Sequence, residues 1–188
     1  MPTRWPLLVT LAVLACSACS TLTMRISRAE LQADLASRFP VNVDKQVVSV
    51  RFSEPLLDMP GEPARLGLRL QLEANTAHSR LGGTVRVEGQ IRYVESEHAF
   101  YLRDPKVTEL RVDPIEASGP HESRLALLRS SLGSQVFADA TRVAIEEALR
   151  VRPVYRLDAK RGAREAKAIR HLRSVRVDGH DLVLEVGL

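Results

Sequence analysis

The fold is decided by the stretch from residue 121 to residue 150, which reads HESRLALLRSSLGSQVFADATRVAIEEALR. Pro120 stands where a first helical residue would, Glu122 falls in the first turn, and Pro153 follows the end. This pattern predicts one helix about 45 Å long, at about 1.5 Å of rise per residue. Apolar side chains recur at helical spacing and predict a buried stripe. The stripe comprises Leu125, Leu128, Leu132, Val136, Ala140 and Val143, with Phe137 and Ala144 beside it.

Length and composition indicate one globular domain. The chain has 188 residues, of which 45% are hydrophobic and 27% charged. A chain of this kind is large enough to bury its own core and is not disordered. Its two cysteines, Cys16 and Cys19, both lie close to the N terminus. The remainder therefore has neither a disulfide framework nor a cysteine-based zinc site.

The N terminus has the pattern of an export signal. Arg4 precedes an apolar run from Leu7 to Ala15, which is too short to span a bilayer and is typical of a signal peptide. Small residues then precede a cysteine, as in lipoprotein signal peptides, whose cysteine becomes acylated. Cys19 has the better two nearest upstream residues and is favoured, with Cys16 as the alternative. An ordinary cleaved signal with incidental cysteines is the competing interpretation.

The lipoprotein interpretation divides the chain into three parts. These are a signal peptide at 1–18, a lipidated cysteine with a short tether or first strand at 19–26, and a single α+β domain at 27–188. Neither cysteine is followed by aspartate, the usual signal for retention in the inner membrane. We therefore expect a protein of the outer membrane whose domain faces the periplasm. Acyl chains such as palmitate contribute about 0.8 kcal/mol per buried methylene, so a multiply acylated cysteine is a firm membrane anchor.

A second, shorter helix is predicted from Ser27 to Phe39. The residues SRAE at 27–30 form a capping box, in which the serine is the N-cap and the glutamate lies three residues on. Leu31, Leu35 and Phe39 recur at helical spacing, and Pro40 follows them. These apolar residues predict a helix that packs against the core.

Antiparallel strands are predicted between the two helices. In residues 66–74 and 85–93, apolar and polar side chains alternate, which is typical of strands buried on one face. Gly89 interrupts the second of these strands and predicts a bulge or sharp curvature. Further strands are predicted at 47–52, 99–102 and 107–112. Pro55, Pro60 and Pro63 break the chain after the first of them and predict a loop or a sheet edge there.

One-sided strands need an apolar layer to cover them, and the long helix supplies it. The predicted fold class is therefore α+β. A curved antiparallel sheet wraps around one long helix, with a short N-terminal helix and a small C-terminal helix plus strand pair. Whether the helix fills the curve or leaves room for a ligand is left open by the periodicity.

The closing segment is strongly basic. Ten Lys or Arg residues lie between Arg150 and Arg176, opposed only by Asp158 and Glu165. An exported domain meets no ordinary nucleic acid, so an anionic membrane surface is the better partner for such a patch. The cations assigned to this contact are Arg161, Arg164, Lys167 and Arg170. A solvated face that only aids solubility is the alternative.

No catalytic or metal-binding motif is present in the sequence. The five histidines are dispersed, and the sequence has no nucleophile-elbow serine, phosphate-binding loop or dinucleotide fingerprint. We therefore expect no enzyme activity, no cofactor and no metal. An active site assembled from distant residues is the alternative.

Several short stretches resemble the YceB-like outer-membrane lipoproteins, a family whose role is not established. They are CSTLT at 19–23, SRAEL at 27–31 and PVYRL at 153–157, followed by an Ala/Lys-rich helix and a terminal strand pair around Val177 and Leu184. The resemblance implies a tubular lipid-binding (TULIP-like) architecture and brings no catalytic residues.

Two functions of different classes follow. The first is a non-enzymatic lipoprotein that binds or carries a lipid or acyl chain between the sheet and the long helix. Its expected lining residues are Leu68, Leu70, Leu72, Val85, Val87, Leu128, Leu132 and Val136. The second is an envelope assembly protein that acts through its surface on an unidentified protein partner, with a purely structural core.

Overall fold

The computed structural model describes residues 21–45, 48–60, 62, 64–75, 80–114 and 124–187. Within the long helix, side chains are described for Gln135 and from Ala138 onward. The predicted signal peptide and both cysteines lie outside these residues. So do the side chains of Leu125, Leu128, Leu132, Val136 and Phe137.

Nine strands and three helices are described. In chain order they are β1 (Thr21–Ile26), α1 (Arg28–Ala36), β2 (Val41–Lys45), β3 (Val48–Asp58), β4 (Arg65–Asn75), β5 (Arg80–Val94), β6 (Ala99–Pro114), α2 (Arg124–Arg150), β7 (Pro153–Arg156), α3 (Ala163–His171), β8 (Leu172–Asp178) and β9 (Asp181–Gly187). Strands β2 to β7 form one antiparallel sheet in chain order, and β1, β9 and β8 form a second. The protein therefore has a mixed α+β fold in which the larger sheet curls into a half-barrel.

The apolar face of the larger sheet lies where alternation predicts it. Leu68, Leu70 and Leu72 of β4 are at most 1% exposed, as are Val85 and Val87 of β5. Leu68 pairs directly with Val87, and Leu70 with Val85, so these side chains form a continuous row across the two strands.

Pro55 lies within β3 and not in a loop. Beyond Phe52 this strand pairs only with β4 among the described residues, so the region is at a sheet edge, the second of the two predicted alternatives. The strand continues to Asp58 because Pro55 sits in a bulge, between the pairs Ser53–Gln71 and Leu56–Arg69. Glu54 takes up the extra residue with a φ of 48°. A bulge accommodates the missing N–H of proline. The extra residue also changes which side chains of β3 face the core, so that Leu56 faces outward and is 57% exposed.

The two strands predicted at 99–102 and 107–112 are one strand, β6. Its pairing with β5 shifts register twice, once on each side of Val87 and Glu88, and Asp104 has a φ of 49°. The predicted irregularity at Gly89 is confirmed. A Cβ there would lie 3.0 Å from the carbonyl oxygen of Arg103 and 3.3 Å from Pro105.

The predicted capping box of α1 is confirmed. The Ser27 hydroxyl accepts a hydrogen bond from the Glu30 amide at 3.2 Å, and the Ser27 amide donates to the Glu30 carboxylate at 2.8 Å. The helix ends at Ala36, earlier than predicted. Leu31 and Leu35 are buried, and Gln32 both donates to the Pro55 carbonyl and accepts from the Leu57 amide. The helix is thereby fixed to the bulged part of β3.

The long helix α2 extends from Arg124 to Arg150 and packs against β6 and β2. Its buried side chains in the described part are Thr141, Ala144, Ile145 and Leu149. The predicted stripe is wrong here, because Ala140 is exposed and Val143 is 61% exposed. The buried face is turned by about one residue, or about 100°, relative to the prediction. Sequence spacing alone cannot distinguish the two faces, because both carry apolar side chains.

The predicted C-terminal helix and strand pair are confirmed as α3, β8 and β9. Strand β9 also pairs with β1 along the whole length of β1, from Thr21–Gly187 to Ile26–Leu182. The start and the end of the domain therefore share one sheet. In the described part of the chain, no helix is both long and apolar enough to cross a bilayer.

Candidate functional site

A groove separates the edge strand β2 from the C-terminal half of α2. It has a volume of about 340 Å³. Its lining residues are Val41, Asn42, Val43 and Asp44 from β2, and Ala144, Glu147, Ala148, Val151 and Arg152 from α2 and the residues that follow it.

The walls of the groove continue the apolar core. Val41 pairs with Phe52, and Val43 with Val50, so both valines lie on the same face of the sheet as these two core residues. Strand β2 has a single neighbour because it is at the edge of the sheet. Within the described part of the chain, the groove is thus a place where the apolar layer between sheet and helix reaches solvent. Val151, 69% exposed, extends it.

Polar groups lie at the rim. Asn42 and Asp44 are exposed on β2, and Arg152 is exposed where α2 has ended. Glu147 lies on the α2 side of the groove and interacts with another group of the protein. A groove with apolar walls and a charged rim matches an amphiphile, whose chain is apolar and whose head is polar.

The hydroxyl of Thr141 is a buried polar group without a partner. Thr141 is 1% exposed, and its Oγ1 has no hydrogen bond to any described residue. It lies on the same face of α2 as Ala144 and Ala148, one turn closer to the helix N terminus. An unpartnered buried hydroxyl is costly, at about 1–3 kcal/mol. Such a group is one that a bound polar atom would satisfy.

The structure brings together five of the eight predicted lining residues. Leu68, Leu70, Leu72, Val85 and Val87 share the buried face of β4 and β5. The side chains of the other three, Leu128, Leu132 and Val136, lie outside the described residues. Whether this set contacts a ligand stays a prediction.

Sequence reasoning missed the groove. The alternation of Val41 and Val43 with Asn42 and Asp44 indicates a half-buried strand and was the available signal. Nothing in the sequence shows that β2 is an edge strand or that Ala144 and Ala148 face it. Both facts depend on the order of strands in the sheet.

One of the four cations assigned to an anionic surface is engaged inside the protein. The Arg161 guanidinium donates to Asp34 at 2.6 Å and lies over the Tyr155 ring, 5.4 Å from its centre. Arg38 donates to the other oxygen of Asp34 at 2.6 Å. The Asp34 side chain is only 5% exposed, so this network connects α1 to the turn before α3. The other three cations, Arg164, Lys167 and Arg170, have no salt bridge to any described residue.

Tyr155 lies at the centre of the same network. Its hydroxyl donates to Glu165 at 3.2 Å, and the other oxygen of Glu165 accepts from the Asp158 amide at 2.6 Å. Burial, assisted by the negative charge of Glu165, raises the pKa of Tyr155 to about 12. Tyr155, Glu165, Asp34 and Arg161 also line a groove of about 450 Å³. Their polar groups bond to one another, so we interpret the network as a structural connection. No group of His, Cys, Asp or Glu in the described residues could hold a metal ion.

The fold and the groove together define the class of protein. It is an α+β domain in which the apolar layer between sheet and helix is open to solvent at one edge of the sheet. The chain belongs to the DUF1439 family, described as proteins of unknown function, whose profile matches residues 26–180. No curated protein matches the chain.

One solved structure that resembles the chain is the crystal structure of a lipopolysaccharide binding protein. The match has a TM-score of 0.37 and 13% sequence identity, and it covers 88% of this chain. The chain spans 40% of the length of that protein. At this level of similarity no ligand is inferred from it.

Proposed function

We propose that this protein is a non-enzymatic envelope lipoprotein that binds a single-chain amphiphile, such as a fatty acid, between the six-stranded sheet and α2. The observation that carries the proposal is the groove between β2 and α2. Its valine and alanine walls are continuous with the apolar face of the sheet. In this proposal the apolar chain enters there, and the sheet wraps around α2 in the TULIP-like arrangement that the family resemblance implies.

The size of the groove favours one acyl chain over two. Sites for small molecules typically have volumes of about 300 to 1,000 Å³, and this one, at about 340 Å³, is at the small end. Each methylene moved from water into such a site contributes about 0.8 kcal/mol. Arg152 at the rim is placed to attract an anionic head, and the Thr141 hydroxyl offers a hydrogen bond deeper in the layer.

Anchoring completes the proposal. Acylation of Cys19 holds the domain at the periplasmic side of the outer membrane, and the amphiphile is then carried or sensed close to the bilayer. Strand β1 begins at Thr21, two residues after the proposed anchor, so the anchor and the smaller sheet are close together in the chain.

Native mass spectrometry tests the proposal. A form that starts at Ser20, purified without detergent, is weighed intact and then extracted with organic solvent for lipid analysis. We expect a fatty acid or other single-chain lipid at near-stoichiometric amount, or its uptake when palmitate is added. A protein that is ligand-free and takes up neither palmitate nor phospholipid would contradict ligand binding.

The close packing of β4 and β5 favours a second candidate, an assembly protein with a purely structural core. Leu68, Leu70 and Leu72 are at most 1% exposed, so this part of the layer is filled. In that case a stoichiometric envelope protein should bind the surface. Its binding should be lost when Arg164, Lys167 and Arg170 are changed to glutamate.

A further inference from the structure

The smaller sheet brings the ends of three strands together at one edge of the domain. Thr21 at the start of β1 pairs with Gly187 at the end of β9. Leu172 at the start of β8 pairs with Val186. We call this edge the tether end. Helix α3 also ends here, because His171 directly precedes Leu172.

The tether end lies close to the proposed anchor by chain length alone. Only Ser20 separates Cys19 from Thr21, and two residues span at most about 7 Å. This distance is shorter than the Debye length of about 8 Å at physiological ionic strength. Charges at the tether end are therefore close enough to the membrane surface to be only partly screened.

The tether end is basic. Arg170 and Arg173 are exposed, and neither forms a salt bridge within the described part of the chain. The Arg173 guanidinium lies directly over Gly187, since a Cβ on that glycine would be 2.5 Å from its Nε. Leu22, on the first strand, is 41% exposed. Cations beside an exposed leucine suit the headgroup region of a bilayer.

The opposite end of the same sheet is acidic. The turn between β8 and β9 carries Asp178 and Asp181, about 20 Å from the tether end at about 3.3 Å per strand residue. Arg25 bridges both carboxylates, at 3.2 and 3.5 Å. Between the two ends, Glu185 accepts from Ser174 and Arg176. The charge thus changes sign along the sheet, away from the anchor.

We infer that the tether end docks on anionic phospholipid headgroups of the membrane that holds the anchor. Arg170 and Arg173 contact the phosphates, Leu22 enters the interface, and the turn with Asp178 and Asp181 points away from the bilayer. Each arginine near an anionic surface strengthens binding about five-fold. This inference rests on the proposed acylation of Cys19, and it assigns the domain a fixed orientation on the membrane.

Two exposed histidines make a matched pair for the test. His171→Cys places a label at the tether end, and His180→Cys places one in the opposite turn. The thiol of acylated Cys19 does not react with the label. The full acylated chain is reconstituted in vesicles of phosphatidylethanolamine and phosphatidylglycerol that contain a headgroup-quencher lipid. We expect strong fluorescence quenching at position 171 and little at position 180.

Charge reversal then tests the arginines. R170E/R173E should reduce the difference in quenching between the two positions several-fold, and so should high salt. R92E/R103E, which changes two exposed arginines of the larger sheet, should leave it unchanged. If the chain floats with the vesicles but both positions are quenched equally, the proposed orientation is wrong and the anchor is unaffected. If the chain does not float with the vesicles, the proposed anchor is wrong as well.

Discussion

At the residue scale, two buried hydroxyls have different surroundings. The Tyr155 hydroxyl donates to Glu165 within a network that joins α1, β7 and α3. The Thr141 hydroxyl is equally inaccessible and has no partner among the described residues. In the proposed complex, a ligand supplies the missing hydrogen bond.

Replacing Thr141 by valine separates stability from binding. Valine has nearly the shape of threonine and removes the unsatisfied hydroxyl, so the ligand-free protein should gain about 1 kcal/mol in the free energy of unfolding. The affinity for palmitate should fall about five-fold, because the ligand loses one neutral hydrogen bond. Urea denaturation and ligand titration measure the two effects. Thr108→Val, whose hydroxyl donates only at 3.4 Å to Arg86, is the control. If the affinity of Thr141→Val for palmitate is unchanged, Thr141 is not part of the binding site.

The raised pKa of Tyr155 predicts a loss of stability in alkali. Burial, and then the charge of Glu165, raise this pKa from 10.0 to about 12. Below pH 10 the phenol is protonated whether the chain is folded or not, so the stability is fully present. Between pH 10 and pH 12 the unfolded chain releases its proton first, which lowers the free energy of unfolding by about 3 kcal/mol.

Tyr155→Phe tests that assignment by urea denaturation across this pH range. The variant should be less stable than the parent near neutral pH, because the hydrogen bond to Glu165 is lost. The difference between the two proteins in the free energy of unfolding should become smaller as the pH rises through about 12. Only the parent loses stability there, since phenylalanine has no proton to release. A gap that stays constant from pH 9 to pH 12 would show that Tyr155 titrates normally.

At the element scale, the sheet depends on places where the regular pattern is broken. Bulges in β3 and β6 bend the strands at Glu54 and Asp104. Backbones also approach closely at Gly83, where a Cβ would overlap the carbonyl oxygen of Arg111 on β6. Gly83 thus lets β5 and β6 come together near the described end of β6.

Gly83→Ala should therefore be strongly destabilising. The new methyl group meets backbone, which cannot move aside as a flexible side chain can, so we expect a loss of about 3 kcal/mol in the free energy of unfolding. Gly67→Ala is the control, because its Cβ would lie 3.2 Å from the Asp58 side chain and needs only a small shift. Equal losses for the two variants would contradict the close approach at Gly83.

The same elements show what the sequence predicts and what it does not. The alternation of apolar and polar side chains predicts the buried faces of β4 and β5, because each strand has one face toward solvent. The capping box predicts the start of α1 because its hydrogen bonds are local. The bulge at Pro55 and the inward face of α2 were not predicted, because both are decided by neighbours distant in the sequence.

At the scale of the whole molecule, function depends on how the two sheets and α2 are arranged. The larger sheet exposes its apolar layer at the β2 edge, while α1 covers the β7 edge. The predicted lining residues of β4 and β5 lie inside that layer, and the groove that reaches solvent lies two strands away from β4. Sequence patterns identified the layer but could not identify its opening, which depends on strand order.

The measurement that tests the central claim most directly is ligand binding after the groove is filled. Ala148→Trp places a large side chain between α2 and β2, and Val143→Trp places the same side chain on the exposed face of the same helix. Binding of the fluorescent fatty acid cis-parinaric acid is measured for both variants, with palmitate as competitor. We predict at least about ten-fold weaker binding for Ala148→Trp, or about 1.4 kcal/mol, and unchanged binding for Val143→Trp. Equal affinities for the two variants would show that the groove is not where the acyl chain binds.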